Sequence, residues 1–251
     1  MKYMGSKAKI AKYILPYIHS YIMSNNIKLY IEPFIGGANM IDKVQCQRKV
    51  GSDIDRHLVA LLNHVKNGGV LPEDVSFDLY KDVRTNKNTG KYQDWFVGAV
   101  EFLASFNGRG FTGGYAKPSY ETKKDGTQVL RNYYQECKRN ILKQAENLRN
   151  VEIYQGSYEM YSNVKGALIY CDPPYKNTKA YNNSFDHDKF WEWVRQMSNY
   201  NIVLVSEETA PADFDIIWQQ SIKRTINASD KKISTEKLFI YKGLNNQTLD
   251  F

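Results

Sequence analysis

The stretch Ala167–Asn177, ALIYCDPPYKN, constrains the fold of this chain more than any other. An apolar run with a Tyr and a Cys leads straight into Asp172-Pro173-Pro174-Tyr175. Proline has no backbone N–H and fixes its own φ, so a paired strand does not continue through two of them. The strand therefore ends there, with a carboxylate and a phenol flanking a stiff turn. Asp172 and the carbonyl of Pro173 are two acceptors able to receive hydrogen bonds from one exocyclic amino group. The paired prolines fix where that carbonyl points, and the ring of Tyr175 offers a flat face on which a base can stack. A plain X-Pro-Pro turn with a capping Asp is the simpler reading. At residue usage near 5% each, however, only roughly one chain of this length in several hundred holds DPPY by accident.

The rest of the chain supplies the frame. KAKIAKYILPYIHSYIMS has helical spacing, with a break expected near Pro16. Leu29 to Ile31 reads as a strand, ended by Glu32-Pro33-Phe34. Gly36-Gly37 then reads as a turn, and Ala38 to Val44 as the start of a helix. RKVGSDID is a second short strand ending in acids, and RHLVALLNHVKNG is a helix closed by Gly68-Gly69. This order is a βαβ arrangement with a parallel sheet, hence an α/β fold. A glycine turn between first strand and first helix lets backbone approach a ligand, and a helix start presents free N–H groups. An acid ending the second strand, Asp53 or Asp55, is placed to accept from ribose hydroxyls.

From about residue 70 to 134 the pattern changes. YKDVRTNKN and DWFVGAVEFLASF suggest helices, whereas NGRGFTGGYAKPSYETKKDGTQ reads as a long loop rich in glycine, aromatics and base. Helices and strands then resume: RNYYQECKRNILKQAENLRN, VEIYQGSY, GALIYCDPPY, DKFWEWVRQMSN, NIVLVSEE and a last strand at TEKLFIYK. The middle is therefore an insertion (70–134) in a core made of 1–69 and 135–251. The chain carries 34 Lys and Arg against 27 acids, a net +7 that suits a polyanionic partner. Three cysteines without CxxC spacing argue against structural zinc and a disulfide framework, and for a reducing compartment. No run of eighteen apolar residues and no signal-peptide core is found, so a soluble, cytoplasmic protein is expected.

Taken together, these blocks resemble the Dam-type adenine-specific DNA methyltransferases of bacteria and phages. KYMGSKAKI is similar to the family's N-terminal cofactor block, IEPFIGGANM to its glycine loop, GSDIDRHL to the acid after the second strand. IYQGSY and CDPPY are similar to the cofactor-adenine block and the catalytic block, and NIVLVSEE to the strand that follows. The order matches too: cofactor blocks, recognition insert, catalytic tetrapeptide. One departure is Gly36-Gly37-Ala38, where many relatives have Gly-x-Gly, although a small residue is kept.

The resemblance implies a Rossmann-like core dependent on S-adenosylmethionine, with a mainly helical and loop insertion for target recognition. It implies methyl transfer to the N6 amino group of adenine in double-stranded DNA, with base flipping and no metal. Asp172, Pro173, Pro174 and Tyr175 would be catalytic. Tyr3, Lys7, Glu32, Phe34, Gly36, Asp53, Ser157, Tyr158 and Asp172 would bind the cofactor, with Lys7 on its methionyl carboxylate. Arg109, Lys117, Lys123 and Lys124 would neutralise phosphates, while Asn107 or Arg109 would read base edges. A cognate restriction endonuclease is a partner such enzymes can have, and no obligate protein partner or membrane is implied. Alternatives are an N4-cytosine methyltransferase, in which Ser more often stands where Asp172 is, and an RNA- or protein-directed one, which often has Asn. A catalytically inactive DNA-binding relative would show a broken DPPY or a lost Lys7.

Overall fold

The computed structural model describes residues 1–123, 125–175, 185–225 and 231–243, with backbone alone for 222–225 and 231–234. In chain order the elements are α1 (Ala11–Ser24), β1 (Leu29–Glu32), β2 (Arg48–Asp53), α2 (Arg56–Lys66), α3 (Phe77–Asn86), α4 (Asp94–Gly98), β3 (Ser119–Thr122), β4 (Gln128–Arg131), α5 (Tyr133–Leu148), β5 (Val151–Gln155), β6 (Ala167–Cys171), α6 (His187–Ser198), β7 (Ile202–Glu207), β8 (Phe214–Thr225) and β9 (Lys231–Tyr241). The chain divides into one unit of Met1–Lys9, Gly36–Lys43 and Asp53–Gln155, and another of Ile10–Ile35, Val44–Ser52 and Gly156–Phe251.

In the second unit the strands run in the order β2-β1-β6-β7-β9-β8. β1 pairs in parallel with β2 and β6, and β6 with β7, whereas β9 is antiparallel to both β7 and β8. The fold class is thus mixed α/β with a mostly parallel sheet. Every residue of β6 and β7 is buried, as a parallel strand covered on both faces requires. α6 starts at Asp186, whose carboxylate accepts from Lys189 N at 2.9 Å. It buries Phe190, Trp191, Trp193, Val194 and Met197 in a core shared with Ile31, Ile169, Val203 and Phe239. Phe190 is fully buried, worth about 2–3 kcal/mol by apolar transfer. The chain leaves the β1–β6 pair in opposite directions, to β2 on one side and β7 on the other. The strand order therefore reverses between β1 and β6, and in open α/β sheets ligands bind beyond the carboxyl ends of the strands at that point.

In the first unit, α2 is capped by Asp55, whose carboxylate accepts from His57 N and Leu58 N. Its buried stripe includes Leu58, Leu61, Leu62 and Val65. α4 runs on into a π-helical turn, Ala99–Leu103. α5 buries Tyr133, Cys137, Ile141, Ala145 and Leu148 along one face.

Four expectations are corrected. Residues 38–44 form turns, not a helix. Ala38 is left-handed (φ 56), and the carbonyls of Gly37 and Ala38 accept from the side chain of Gln144 instead of helical N–H groups. α1 passes through Pro16 without a break, because Ile14, Ile18 and Ile22 anchor it on one buried face. The long loop holds an antiparallel hairpin, β3 with β4, and its earlier part is closed by Phe106 N to Gly114 O and Ala116 N to Ala104 O. Finally, β8 was not foreseen. It pairs over most of its length with β9, which is longer than TEKLFIYK.

Candidate active site

The strand ends of the second unit bring acids together. β1 and β6 pair with Ile31 opposite Ile169, so Glu32 is level with Tyr170, two residues before Asp172. Glu32 is 2% exposed; Asp172 is half-buried and Pro173 buried. β7 ends at Glu207, 5% exposed, and the antiparallel β9 brings in Glu236, 3% exposed. The Tyr175 hydroxyl donates to the Glu236 carboxylate. Burial, then Asp172 and Glu236, drive the Tyr175 phenol far above its ordinary pKa, so it stays a donor. Burial, then Asp172, Glu32 and Glu236, do the same to Tyr170. Buried acids of β1, β7 and β9 thus lie at the edge of the sheet where β6 ends.

Phe34, which follows β1, lies among rings: Tyr158 at 5.8 Å, Phe185 at 5.8 Å and Phe190 at 5.7 Å between centroids. Ser157 caps the short 3-10 helix Tyr158–Tyr161 by accepting from Glu159 N. Tyr158 is 7% exposed and packs on Trp193 at 5.0 Å, so it also belongs to the core.

In the first unit, Gly36 adopts φ 47 and donates its N–H to Asp53 Oδ2 at 3.1 Å. A Cβ at Gly36 would lie 2.9 Å from the Tyr3 ring, and one at Gly37 2.7 Å from Tyr3 Cβ, so both positions need glycine for this close approach. Tyr3 packs its other contact on Phe102, 5.8 Å away. The two acids left open by the sequence separate here: Asp55 caps α2, while Asp53 accepts from Gly36 N and Asp55 N. Burial pushes the Asp53 carboxyl up to about 6, outweighing the backbone donors that favour its charged form. Lys7 is 6% exposed in a short 3-10 turn. Gln144 braces the turn carbonyls and is itself buried.

Asn107 (φ 55), Arg109, Lys117 and Lys123 are exposed. The Asn107 side chain accepts from Tyr133 OH at 3.2 Å, and Lys117 Nζ lies over the Phe77 ring. Lys124 lies outside the described residues. The 107–109 turn touches the chain start, since Met4 N donates to Gly108 O and a Cβ at Gly108 would strike Lys2 O at 2.4 Å. Sequence reasoning missed Glu236 and Gln144, whose partners lie 61 and more than a hundred residues away. It also missed Glu101, a partly buried acid on the π-turn facing His57 Nδ1 at 3.4 Å. No local signal marks any of the three.

Among the described residues no helix is long and apolar enough to cross a membrane.

Comparison with known proteins bears on the family of the chain. The chain is 27% identical over 202 residues to the type II methyltransferase M.MjaIII of Methanocaldococcus jannaschii, covering 70% of this chain and 68% of that one. It is 28% identical over 166 residues to a DNA adenine methylase of Salmonella typhi, a match spanning 60% of this chain and 57% of the relative's length. Among solved structures, an rRNA methyltransferase, AviRa, from Streptomyces viridochromogenes aligns over 96% of this chain and 87% of its own at 8% identity, with a TM-score of 0.43. The profile of one family matches residues 3–196, most of the chain, and on that match the chain belongs to the D12 class N6 adenine-specific DNA methyltransferases.

Proposed function

We propose that this chain transfers the methyl group of S-adenosylmethionine to the N6 amino group of an adenine flipped out of double-stranded DNA. The observation that carries this reading is the DPPY turn itself. A half-buried Asp172 and a proline-fixed carbonyl stand at the reversal point of the parallel sheet, with Tyr175 beside them.

S-adenosylmethionine supplies an already activated methyl, so little acid–base chemistry is asked of the protein. The difficulty is the nucleophile, because the amino lone pair of adenine is delocalised into the ring. Asp172 and the Pro173 carbonyl accept one hydrogen bond each from the two amino N–H groups. This favours a tetrahedral nitrogen and stabilises the positive charge that builds there in the transition state. The remaining gain is positioning for in-line transfer. Extruding the base costs a few kcal/mol, and stacking on Tyr175 offsets part of that.

Cofactor recognition is assigned residue by residue. Lys7 pairs with the methionyl carboxylate, and Asp53 accepts from ribose hydroxyls beside the Gly36 turn. Tyr3 buttresses that turn. Glu32 and Phe34 shape the methionine end, and Ser157 and Tyr158 border the adenine. Residues 70–134 serve target recognition, with Arg109, Lys117, Lys123 and Lys124 on phosphates and Asn107 or Arg109 at base edges. A cognate restriction endonuclease is the partner that a site-specific activity of this kind suits. The test is transfer of tritium from labelled S-adenosylmethionine into unmethylated plasmid DNA, RNA and bulk protein, followed by nucleoside analysis. N6-methyladenine in DNA is expected; label in cytosine, RNA or protein overturns the proposal.

A further inference from the structure

Tyr175 follows two prolines, each with its own φ fixed, but its ring can still turn about two side-chain bonds. The structure removes that freedom from a distant strand. Glu236 sits on β9 one residue beyond the pair that joins β9 to the end of β7, Lys237 with Glu207. Antiparallel β9 therefore passes the carboxyl ends of the parallel strands, and Glu236 is delivered there at 3% exposure. A carboxylate buried so deeply is costly unless it is hydrogen-bonded. Its bond from the Tyr175 hydroxyl meets that need.

We propose that Glu236 is a positioning residue for the target base: by accepting the Tyr175 hydroxyl it fixes the plane of the ring on which the extruded adenine stacks. This rests on the reading of Tyr175 as the stacking face. A carboxylate suits the role better than an amide. It enriches the phenol ring in electron density, and an electron-rich face stabilises a purine that becomes positively charged as its amino group is methylated. Glu236 touches neither base nor cofactor in this scheme and acts through Tyr175 alone.

The chain's own site is first read by modification-sensitive sequencing of plasmid DNA methylated by it. A duplex of that site, with 2-aminopurine in place of the target adenine, then reports extrusion by fluorescence, and the unmodified duplex gives the single-turnover methylation rate. Glu236→Gln and Tyr175→Phe are each expected to slow single turnover about tenfold, the scale of one hydrogen bond to a charged group. Each should also alter the 2-aminopurine emission. The double variant should be no slower than either single one, and calorimetric affinity for S-adenosylmethionine should change less than twofold. Multiplying losses in the double variant, or a wild-type rate in Glu236→Gln, overturn the proposal. So does a fall in cofactor affinity that matches the rate loss, because it assigns Glu236 to the cofactor. Tyr175→Ala separates the two levels. If it abolishes emission and rate while the Gln and Phe variants match wild type, the tether is wrong and stacking stands. If it changes neither, stacking on Tyr175 is wrong, and the tether falls with it.

Discussion

Asp53 links the assigned cofactor role to a measurable pH dependence. Its carboxyl is pushed from an ordinary 3.8 up to about 6, chiefly by burial. If it accepts from ribose hydroxyls, it must be ionised to do so. At pH 5, one unit below its folded value, roughly one molecule in eleven carries the carboxylate, so affinity for S-adenosylmethionine should be about tenfold weaker than at pH 7.5. Asp53→Asn should remove that slope. It should also weaken binding at pH 7.5 by about tenfold to a hundredfold, the value of one charge-assisted hydrogen bond. Part of the loss is local, since an amide group cannot accept from both Gly36 N and Asp55 N as the carboxylate does. The same raised value acts on folding with the opposite sense. Between pH 3.8 and 6 the folded chain keeps a proton that the unfolded chain has lost. Stability is then highest below that window and falls as pH rises through it, by up to about 3 kcal/mol from this group. Calorimetric titration of S-adenosylmethionine from pH 5 to 8, with thermal unfolding of the cofactor-free protein over the same range, separates the two effects. A wild-type affinity that stays flat over this range, or an Asn variant that keeps the slope, refutes the assignment.

Asp172→Ala should lower single-turnover methylation at least about a hundredfold, as loss of one transition-state acceptor does, and near-normal turnover would remove it from the chemistry. Lys7→Ala should weaken S-adenosylmethionine binding while leaving the circular dichroism spectrum intact; unchanged calorimetric affinity would take Lys7 out of the site. Changing Arg109, Lys117 and Lys123 together to Ala should flatten the salt dependence of DNA binding by roughly 0.9 in log–log slope per lost phosphate contact, and an unchanged slope places the DNA elsewhere. Glu101 is pushed up to about 7 by burial, with Asp55 adding to it, so it destabilises the fold as pH rises from 4.5 through 7. Glu101→Gln should therefore raise the unfolding midpoint at pH 8 and not at pH 4; equal shifts at both would point to packing instead.

What could be read from the residues was whatever depends on a residue and its immediate neighbours. Two prolines end a strand wherever they occur, so β6 stops at Cys171 and the Asp172 turn follows. The apolar periodicity of α2 and α5 and the βα order reflect the same kind of rule, because side-chain spacing alone sets which face is buried. The order of blocks in the chain sufficed for the family. Local rules gave out where a competitor lay far away. Ala38 to Val44 has helical composition, but Gln144, more than a hundred residues on, takes the carbonyls a helix would have used. Pro16 would break an isolated helix, yet buried isoleucines on one face hold α1 together around it. Asp53 and Asp55 are equivalent in sequence; the cap of α2 claims one, and the Gly36 turn is left to the other. Glu236 is an ordinary strand residue until β9 runs antiparallel past the end of β7 and sets it beneath the Tyr175 hydroxyl. Local sequence determined the stop at the Asp172 turn and the buried faces of α2 and α5, because φ restriction and side-chain spacing belong to single residues and their neighbours. Tertiary structure alone decided which buried acid meets which donor, because that depends on strand order and on charges that burial forces into pairs.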